Sequence, residues 1–478
     1  MEEVIEHSSH HATSPEDRIP LFQKAIYSIG YLVNQMQAAA LGAMVFVLNL
    51  GLGVDPALVG LVGSIPRIID AFTDPLIGYT SDNTRTRFGR RKPYMFFGAI
   101  ASGVLFFVLF QLYKGHTQNY YFWYFLIVQC FFVIAFAFFA IPFIALGFEM
   151  SPDYHERTRL LGASNAVGQI AWMISPWLFK FMYSSTNKDL VHGVRNLGLY
   201  FGIFILVGGV LSAVFNKEKF RDLSKPEKKK ILAVIKDFFH SCAIAFKNKP
   251  FVQLCVITFL IFNGFMLASA FILYNIVFYV YRGDYGKGGD LLGWFGMTSA
   301  LVSFAFVFPL ISWTATKIGK RNTLLIAIPL SIVGYGLKWW GYCPQHPYLL
   351  LMAAPFIACS LGALFTIVTS MLADVCDLDE LQTGFRREGT FGAIYWWMIK
   401  LGQAAASVIS AFLLDWTGFK ESLHGNQTVH ALLWMRIFDI GIPILASLIA
   451  IYFILTFEVS EDKAYEIRMQ LEARRGKS

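Results

Sequence analysis

The chain has 478 residues, of which 56% are hydrophobic and only 15% are charged. Soluble domains carry about 25% charged residues, so this composition excludes an ordinary soluble enzyme. The apolar residues fall in continuous blocks of about 20 or more, which is the length of a helix that crosses a bilayer, and this excludes a β-barrel with its short alternating strands. The net charge of +8 comes from basic segments that would face anionic lipid, so we expect a lipid bilayer and no nucleic acid as partner.

We predict an all-α membrane protein with twelve transmembrane helices in two six-helix halves. Residues 1–20 are polar and have no apolar core, so the first span must act as its own insertion signal. The predicted spans are 24–50, 57–79, 94–113, 120–148, 159–183, 196–215, 251–281, 290–316, 322–341, 346–372, 389–415 and 432–457.

Polar segments divide the chain into five parts. We predict an N-terminal tail over 1–23, a half over 24–215, a linker with an amphipathic helix over 216–250, a second half over 251–457 and a tail over 458–478. Most of the 40 Lys and Arg residues lie in segments on one side, so the positive-inside rule places both termini in the cytoplasm. The expected location is the plasma membrane, which in a bacterium is the inner membrane.

Polar side chains follow one arc of the first predicted span. Tyr31, Asn34 and Gln35 lie on this arc, halfway across the membrane. On the fifth span, Asn165 and Gln169 form a polar pair one turn apart. Both sets are typical of a water-filled cavity that binds a substrate, and both would equally serve as hydrogen bonds between helices.

The second span carries three ionisable side chains in an otherwise apolar run. Arg67, Asp70 and Asp74 fall within about 60° of one another on the helix, with Thr73 beside them. Ionised carboxylates are costly in a membrane, so this stripe should face the bundle interior. Two carboxylates one turn apart repel, and a bound Na⁺ or H⁺ relieves the repulsion. Arg67 is a candidate for substrate contact, and a salt bridge from Arg67 to either acid is the structural alternative.

Charged segments after the second and tenth spans are candidates for a gate. The basic loop would pair with acidic residues on the same side in one state and separate in another, while simple anchoring of the helix ends is the alternative. The candidate gate residues are Arg85, Arg90, Arg91, Asp374, Asp377, Arg386 and Arg387.

Lys400 lies well inside the eleventh predicted span, with no acidic residue nearby in the sequence. Trp396, Lys400 and Gln403 share one helix face, and Tyr395 is adjacent. An aromatic ring, an ammonium group and an amide suit a polyhydroxylated ligand. We therefore expect these residues to bind the substrate, and Lys400 to contact the carboxylate pair of the second span across the central cavity.

The two halves resemble each other. The second span runs into GYTSDNTRTRFGRRKP and the eighth into SWTATKIGKRNT, so both enter a short loop with a glycine flanked by cations. Similarity of two six-helix halves is typical of major facilitator transporters, which bind substrate between the halves.

Two long segments point to one family within this superfamily. RIIDAFTDPLIGYTSDNTRTRFGRRKPY and MLADVCDLDELQTGFRREGTFGAIYWWMIKLGQA resemble the glycoside–pentoside–hexuronide:cation symporters, the melibiose permease-like family of the major facilitator superfamily. With the motif ERTR after the fourth span, the resemblance covers essentially the whole chain. It implies that Asp70 and Asp74, with Thr73 beside them, bind the coupling cation, and that Lys400 communicates with substrate and cation.

The chain departs from this family where the sugar would bind. Gln35 and Ala140 stand where the melibiose permease carries sugar-binding aspartates. We expect symport of a sugar or glycoside with Na⁺ or H⁺ by alternating access. Symport of an amphiphile such as a lysophospholipid and uncoupled sugar transport are the alternatives. The sequence has no HExxH or GxSxG motif, so we expect no enzyme activity. We also expect no cofactor besides the ion, and a monomeric protein.

Overall fold

A computed structural model describes residues 18–84, 86–150, 154–183, 189–218, 236, 243–383, 388–459 and 461–474. Every named element in these ranges is a helix. Helices suit a bilayer because each satisfies its backbone N–H and C=O groups within its own segment. Ten helical segments of the described part are long and apolar enough to cross a membrane. Two further long helices, which carry the polar residues predicted on the first and fifth spans, complete the twelve.

The N-terminal half consists of α1 (Leu21–Phe46), α2 (Pro56–Asn83), α3 (Lys92–Leu109), α4 (Gln118–Glu149), α5 (Tyr154–Met182) and α6 (Leu190–Phe215). The C-terminal half consists of α7 (Lys249–Tyr274), α8 (Tyr285–Val302), α9 (Phe308–Ile318), α10 (Lys320–Gly341), α11 (Ala354–Ala363), α12 (Thr369–Thr383), α13 (Glu388–Trp416) and α14 (Val429–Leu455), followed by α15 (Glu461–Arg474).

Short π-helical turns interrupt or extend several of these helices. The turn Ser303–Val307 joins α8 to α9, and Leu364–Val368 joins α11 to α12, so each pair forms one continuous span. The turn Val47–Gly51 extends α1, and Asn275–Val280 extends α7. The eighth and tenth predicted spans therefore exist as single spans, and the predicted all-α architecture is confirmed.

Small residues let neighbouring helices of one half approach closely, as is usual in membranes. A Cβ at Gly98 of α3 would lie 2.5 Å from the backbone nitrogen of Phe139 on α4. A Cβ at Gly103 would lie 2.9 Å from the carbonyl oxygen of Gly202 on α6. The helix α3 is thus packed between α4 and α6 at nearly backbone-to-backbone distance.

In the described part of the chain, two helix pairs make the most extensive contacts between the halves: α2 packs on α13, and α5 packs on α8. A Cβ at Gly60 of α2 would lie 2.5 Å from Ala411 Cβ, and one at Gly296 of α8 would lie 2.1 Å from Pro176 Cγ. We call the end of the bundle where α1 begins the terminal end, and the opposite end the distal end. These close contacts lie toward the distal end, so the halves are closed against each other there.

The connections after α2 and α9 share one feature of the sequence repeat, a glycine with positive φ followed by basic residues, although the first spans residues 84–91 and the second only Gly319. Gly89 (φ 112°) and Gly319 (φ 85°) adopt backbone conformations that favour glycine. After the first loop, Lys92 Nζ donates to a carbonyl near the end of α6 at 2.8 Å. After the second, Arg321 Nε donates to a carbonyl at the end of α14 at 3.1 Å. In each half, a basic residue just after the loop therefore binds the end of the last span of that half.

The predicted linker and tail are described only in part. Most of the expected amphipathic linker helix falls within 219–235 and 237–242, outside the described residues, so its helical structure stays a prediction. The C-terminal tail forms α15, and Ile467 and Leu471 of this helix are buried among the apolar side chains of the C-terminal half.

We predict that Gly98→Val destabilises the fold by about 1–3 kcal/mol, because the added carbons overlap the α4 backbone. The measurement is thermal unfolding in detergent. Gly336→Val on α10 is the matched control, since no atom lies within 4 Å of a Cβ at Gly336. Equal melting temperatures for the two variants would contradict the close α3–α4 packing.

Candidate cation and substrate site

The helix α2 presents opposite faces to lipid and to the bundle interior. Leu61, Ile68 and Phe72 are exposed and form one stripe along it. Asp70 is only 4% exposed and lies on the opposite side of the helix, with Asp74 one turn farther along the same inner face. The acidic stripe therefore faces the interior, where the cost of burying charge can be offset by a partner.

Lys400 of α13 provides that partner. Its Nζ lies 3.0 Å from Asp70 Oδ2 and also pairs with Asp74 Oδ2. The Thr73 hydroxyl donates to the main-chain oxygen of Asp70 at 3.3 Å, which keeps the hydroxyl beside the carboxylates. Arg67 shares the inner face, and among the described residues it forms no ion pair. The two acids therefore pair with Lys400, and not with Arg67 as the structural alternative predicted.

Trp396 is 52% exposed, and its exposure is toward the interior rather than toward lipid. It shares a face of α13 with Lys400 and lies opposite the exposed Phe412 of the same helix. Its ring stacks on that of Phe365, with centroids 6.3 Å apart and planes 12° apart. Gln403 is partly buried one turn beyond Lys400. An aromatic platform therefore lies beside the ion pair.

Tyr395 occupies a different environment from its neighbours. It is fully buried, and its hydroxyl accepts a hydrogen bond from Thr258 Oγ1 of α7 at 3.2 Å. Successive helical residues differ by 100° in direction, so Tyr395 faces α7 while Trp396 and Lys400 face the interior. This packing does not support the predicted substrate contact of Tyr395, which instead holds α7 against α13.

The predicted polar residues of α1 lie at its contact with α5. A Cβ at Gly168 of α5 would lie 2.6 Å from the Tyr31 ring and 3.1 Å from Gln35 Cγ. The Oδ1 atom of Asn34 is buried and has no hydrogen-bond partner in the described part of the chain. Tyr31 and Gln35 therefore form part of the helix interface, and Asn34 retains an unused acceptor.

The polar pair of α5 lies on a separate face of that helix. Asn165 is exposed and Gln169 is partly buried, on a side about 140° from the exposed apolar Ile170 and Ile174. This separation is what a cavity-facing stripe would show beside a lipid-facing one. Ala140 of α4 is buried, so the position of one family aspartate is apolar and enclosed here.

A family model described as MFS/sugar transport protein matches residues 26–461. The chain belongs to this family. MFS denotes the major facilitator superfamily, so the protein is a membrane transporter rather than an enzyme, and the resemblance found in the sequence is confirmed.

Known members of the family differ in what they carry. The glucuronide carrier protein homolog of Escherichia coli (strain K12) is 25% identical to this transporter over 461 residues, covering 94% of this chain and 95% of that protein. The mouse sodium-dependent lysophosphatidylcholine symporter 1 is 21% identical over 498 residues, covering 96% and 90%. A solved structure of a mutant nucleoside transporter NupG superposes with a TM-score of 0.67 at 12% identity, covering 90% and 99%, which shows the fold alone.

The predicted gate residues of this transporter have partners that the sequence did not indicate. The backbone N–H groups of Arg90 and Arg91 donate to the Glu218 carboxylate at 3.1 and 3.2 Å. Asp374 pairs with Lys320 at 2.6 Å. Each of these contacts stays within one half at the terminal end. One sequence signal pointed to these contacts, the glycine followed by basic residues that both loops contain.

Part of the predicted gate lies beyond the described residues. Arg85, Arg386 and Arg387 fall outside them, and Asp377 is partly buried. The expected pairing of Asp374 and Asp377 with the two arginines therefore stays a prediction.

We predict that Na⁺ raises the melting temperature of Lys400→Met more than that of the wild type. Without the ammonium, Asp70 and Asp74 lose their ion-pair partner and the site carries one uncompensated negative charge. A bound cation therefore gains more by neutralising it, and a ligand that binds the folded state stabilises that state. The measurement is a thermal shift in NaCl against choline chloride at equal ionic strength.

Lys287→Met is the control for this shift, because Lys287 is an exposed lysine outside the site. A Na⁺-induced shift that is the same in Lys400→Met, Lys287→Met and the wild type would contradict competition between Lys400 and a cation. Stabilisation by acid in place of Na⁺ would identify the proton as the competing ion.

Proposed function

We propose that the protein is a cation-coupled symporter whose coupling ion binds Asp70 and Asp74 and displaces Lys400. The observation that carries this proposal is the ammonium of Lys400 held between the two carboxylates. An ammonium and a Na⁺ ion are both monovalent, and carboxylate and hydroxyl oxygens suit a hard cation. Protonation of one carboxylate would release Lys400 in the same way, so the ion is Na⁺ or H⁺.

Displacement of Lys400 would couple the ion to the substrate. Once released, the ammonium can turn toward a substrate that lies against Trp396 and Gln403 on the same face. The substrate then favours the state in which the cation holds the acids, and the cation favours the state in which Lys400 is available. Such coupling is reciprocal, because each ligand changes the affinity for the other by the same factor.

The two halves provide the moving parts for alternating access. They touch at the distal end through the α2–α13 and α5–α8 pairs, so this conformation would admit substrate from the terminal end. With both termini in the cytoplasm, as the basic segments predict, it is the inward-facing state in the plasma membrane. Reorientation would open the distal contacts and close the terminal end.

The charge of the site favours an anionic sugar or glycoside as substrate. Arg67 and Lys400 balance Asp70 and Asp74, so the empty site is neutral. One coupling cation raises the net charge to about +1, and a monoanionic substrate restores neutrality. Moving a net charge through the membrane interior is costly, so the empty and fully loaded states would reorient more readily than the half-loaded one. A hexuronide, with a carboxylate and a sugar face for stacking on Trp396, meets both requirements.

A lysophospholipid-like substrate is the second candidate. The mouse relative, which is named a sodium-dependent lysophosphatidylcholine symporter, matches over nearly the whole chain. A phosphate group would also suit Lys400 and Arg67. This candidate differs from the first in requiring an apolar surface for an acyl chain in place of sugar hydroxyl contacts.

We predict that Asp70→Asn and Asp74→Asn each abolish cation-driven accumulation, with at least about a hundredfold loss, because neither leaves a pair of carboxylates for the ion. The measurement is uptake into proteoliposomes under an imposed Na⁺ or H⁺ gradient. Asp415→Asn, at an exposed aspartate of α13 outside the site, is the control. Accumulation that persists in both site variants and ignores both gradients would support an uncoupled facilitator.

We predict that uptake favours methyl β-glucuronide over methyl β-glucoside by about tenfold or more, since these differ in one carboxylate that the cation-loaded site can neutralise. Uptake of the anion should be electroneutral and therefore unchanged by a valinomycin potential. A cation-driven preference for the neutral glucoside would contradict the anionic assignment and leave symport standing. Preference for lysophosphatidylcholine would select the second candidate.

A further inference from the structure

The first span of each half ends in a π-helical turn at the distal end. The turn Val47–Gly51 ends the α1 span and Asn275–Val280 ends the α7 span, and both are largely buried. Each is followed by a glycine with positive φ, Gly53 (64°) and Gly283 (91°). The π-turns of helices often mark functional positions, because the extra residue widens the helix and redirects its side chains.

A buried hydrogen bond across the halves joins the first turn to Tyr274, the last residue of α7 before the second turn. Tyr274 Oη donates to Asn49 Oδ1 at 2.9 Å, and both residues are buried. Asn49 Nδ2 donates in turn to the carbonyl oxygen of Val54 at 3.0 Å, which fixes the orientation of the amide. The rings of Phe278 and Phe419 lie around Tyr274. The bond is therefore shielded from water, and removing the tyrosine hydroxyl inside the closed interface would take away one buried hydrogen bond between the halves.

A second set of contacts holds the α7 turn from behind. Asn275, the residue after Tyr274, donates to Asp439 Oδ2 of α14 at 3.3 Å. Asp439 is fully buried and also pairs with Lys338 and Tyr342 of the α10 span. A buried ion pair adds little net stability compared with an apolar pair, so its clearest use is to fix one arrangement. Here it fixes the amide of Asn275.

Arg436 holds the same turn at a second point. Its guanidinium lies 4.2 Å from the ring centroid of Tyr279 and 4.1 Å from that of Trp339, and it donates to the main-chain oxygen of Trp339 at 2.8 Å. Tyr279 belongs to the π-turn and Trp339 to α10. The turn is therefore fastened at Asn275 and at Tyr279 to helices that lie wholly within the C-terminal half.

We propose that the Asn49–Tyr274 hydrogen bond is the latch of the distal gate, by which we mean the contacts that close the two halves against each other at the distal end. Lys338, Asp439 and Arg436 are positioning residues, which hold the α7 turn where Tyr274 can form this bond. These residues lie outside the cation and substrate site. They set how often the distal end opens, and they do so through the two π-turns, without touching a ligand.

The test measures the distal separation of the halves directly. Spin labels at Asn119→Cys and Ser422→Cys, two exposed distal residues of opposite halves, report this distance in nanodiscs after replacement of the six native cysteines. With no ligand added, Tyr274→Phe should raise the population with separated distal ends about fivefold, the effect of losing one buried hydrogen bond. Asp439→Asn should act in the same direction.

Tyr285→Phe is the matched control. Tyr285 is also a distal tyrosine that stacks across the halves, on Tyr183 at 4.8 Å, but its buried hydroxyl has no hydrogen-bond partner in the described structure. Its variant should leave the distance distribution unchanged. Equal distributions for Tyr274→Phe and Tyr285→Phe would overturn the latch.

A double variant tests the positioning role. Because Asp439 is proposed to act through the latch, Tyr274→Phe combined with Asp439→Asn should open the gate no more than Tyr274→Phe alone. Independent, multiplying effects would overturn this role. If Asp439→Asn does not fold, the paired replacement Lys338→Met with Asp439→Leu removes both buried charges and decides the same question.

Discussion

A carboxylate buried in a membrane protein needs a counter-charge, and those of Asp70 and Asp74 receive theirs from the other half of the molecule. Lys400 reaches from α13 to both acids on α2. Separating the halves at this depth would leave two unpaired carboxylates, which costs several kcal/mol (~3–5 for a broken buried pair). Lys400 therefore holds the halves together at this depth.

The same helix pair, α2 and α13, also closes the distal end, so the proposed ion site and the distal gate share one interface. Gly60 of α2 packs against Ala411 of α13, and Asp70 lies about 15 Å farther along α2 at 1.5 Å per residue. In the proposed mechanism, exchange of Lys400 for a bound ion would alter one interface that carries both contacts. A rigid helix pair transmits such a change along its length, with no need for a separate relay between site and gate.

Sequence reasoning recovered the features that follow from periodicity and from the cost of burial. The stripe of Arg67, Asp70 and Asp74, the partner role of Lys400 and the repeated loops belong to this class. It missed Glu218 and Lys320, because partners distant in the sequence leave no periodic signal. It also assigned Tyr395 to the substrate site by adjacency to Trp396, although 100° of helical rotation turns neighbouring side chains toward different helices. The π-turns depend on backbone geometry that tertiary packing selects, which composition does not encode.

Two groups of interior charges differ in a way that separates a moving part from a fixed one. Lys400 and the two acids of α2 span both halves, and Lys400 and Asp74 are only partly buried, so water or an ion can reach them. Lys338 and Asp439 lie within one half, at 2% and 0% exposure, so ion exchange there would require opening a packed core. A shared, accessible ion pair can respond to a ligand, whereas an enclosed one can only hold its surroundings. The accessible charges thus lie between the halves, where the proposed ion exchange would take place, and the enclosed ones lie behind the distal turn of α7.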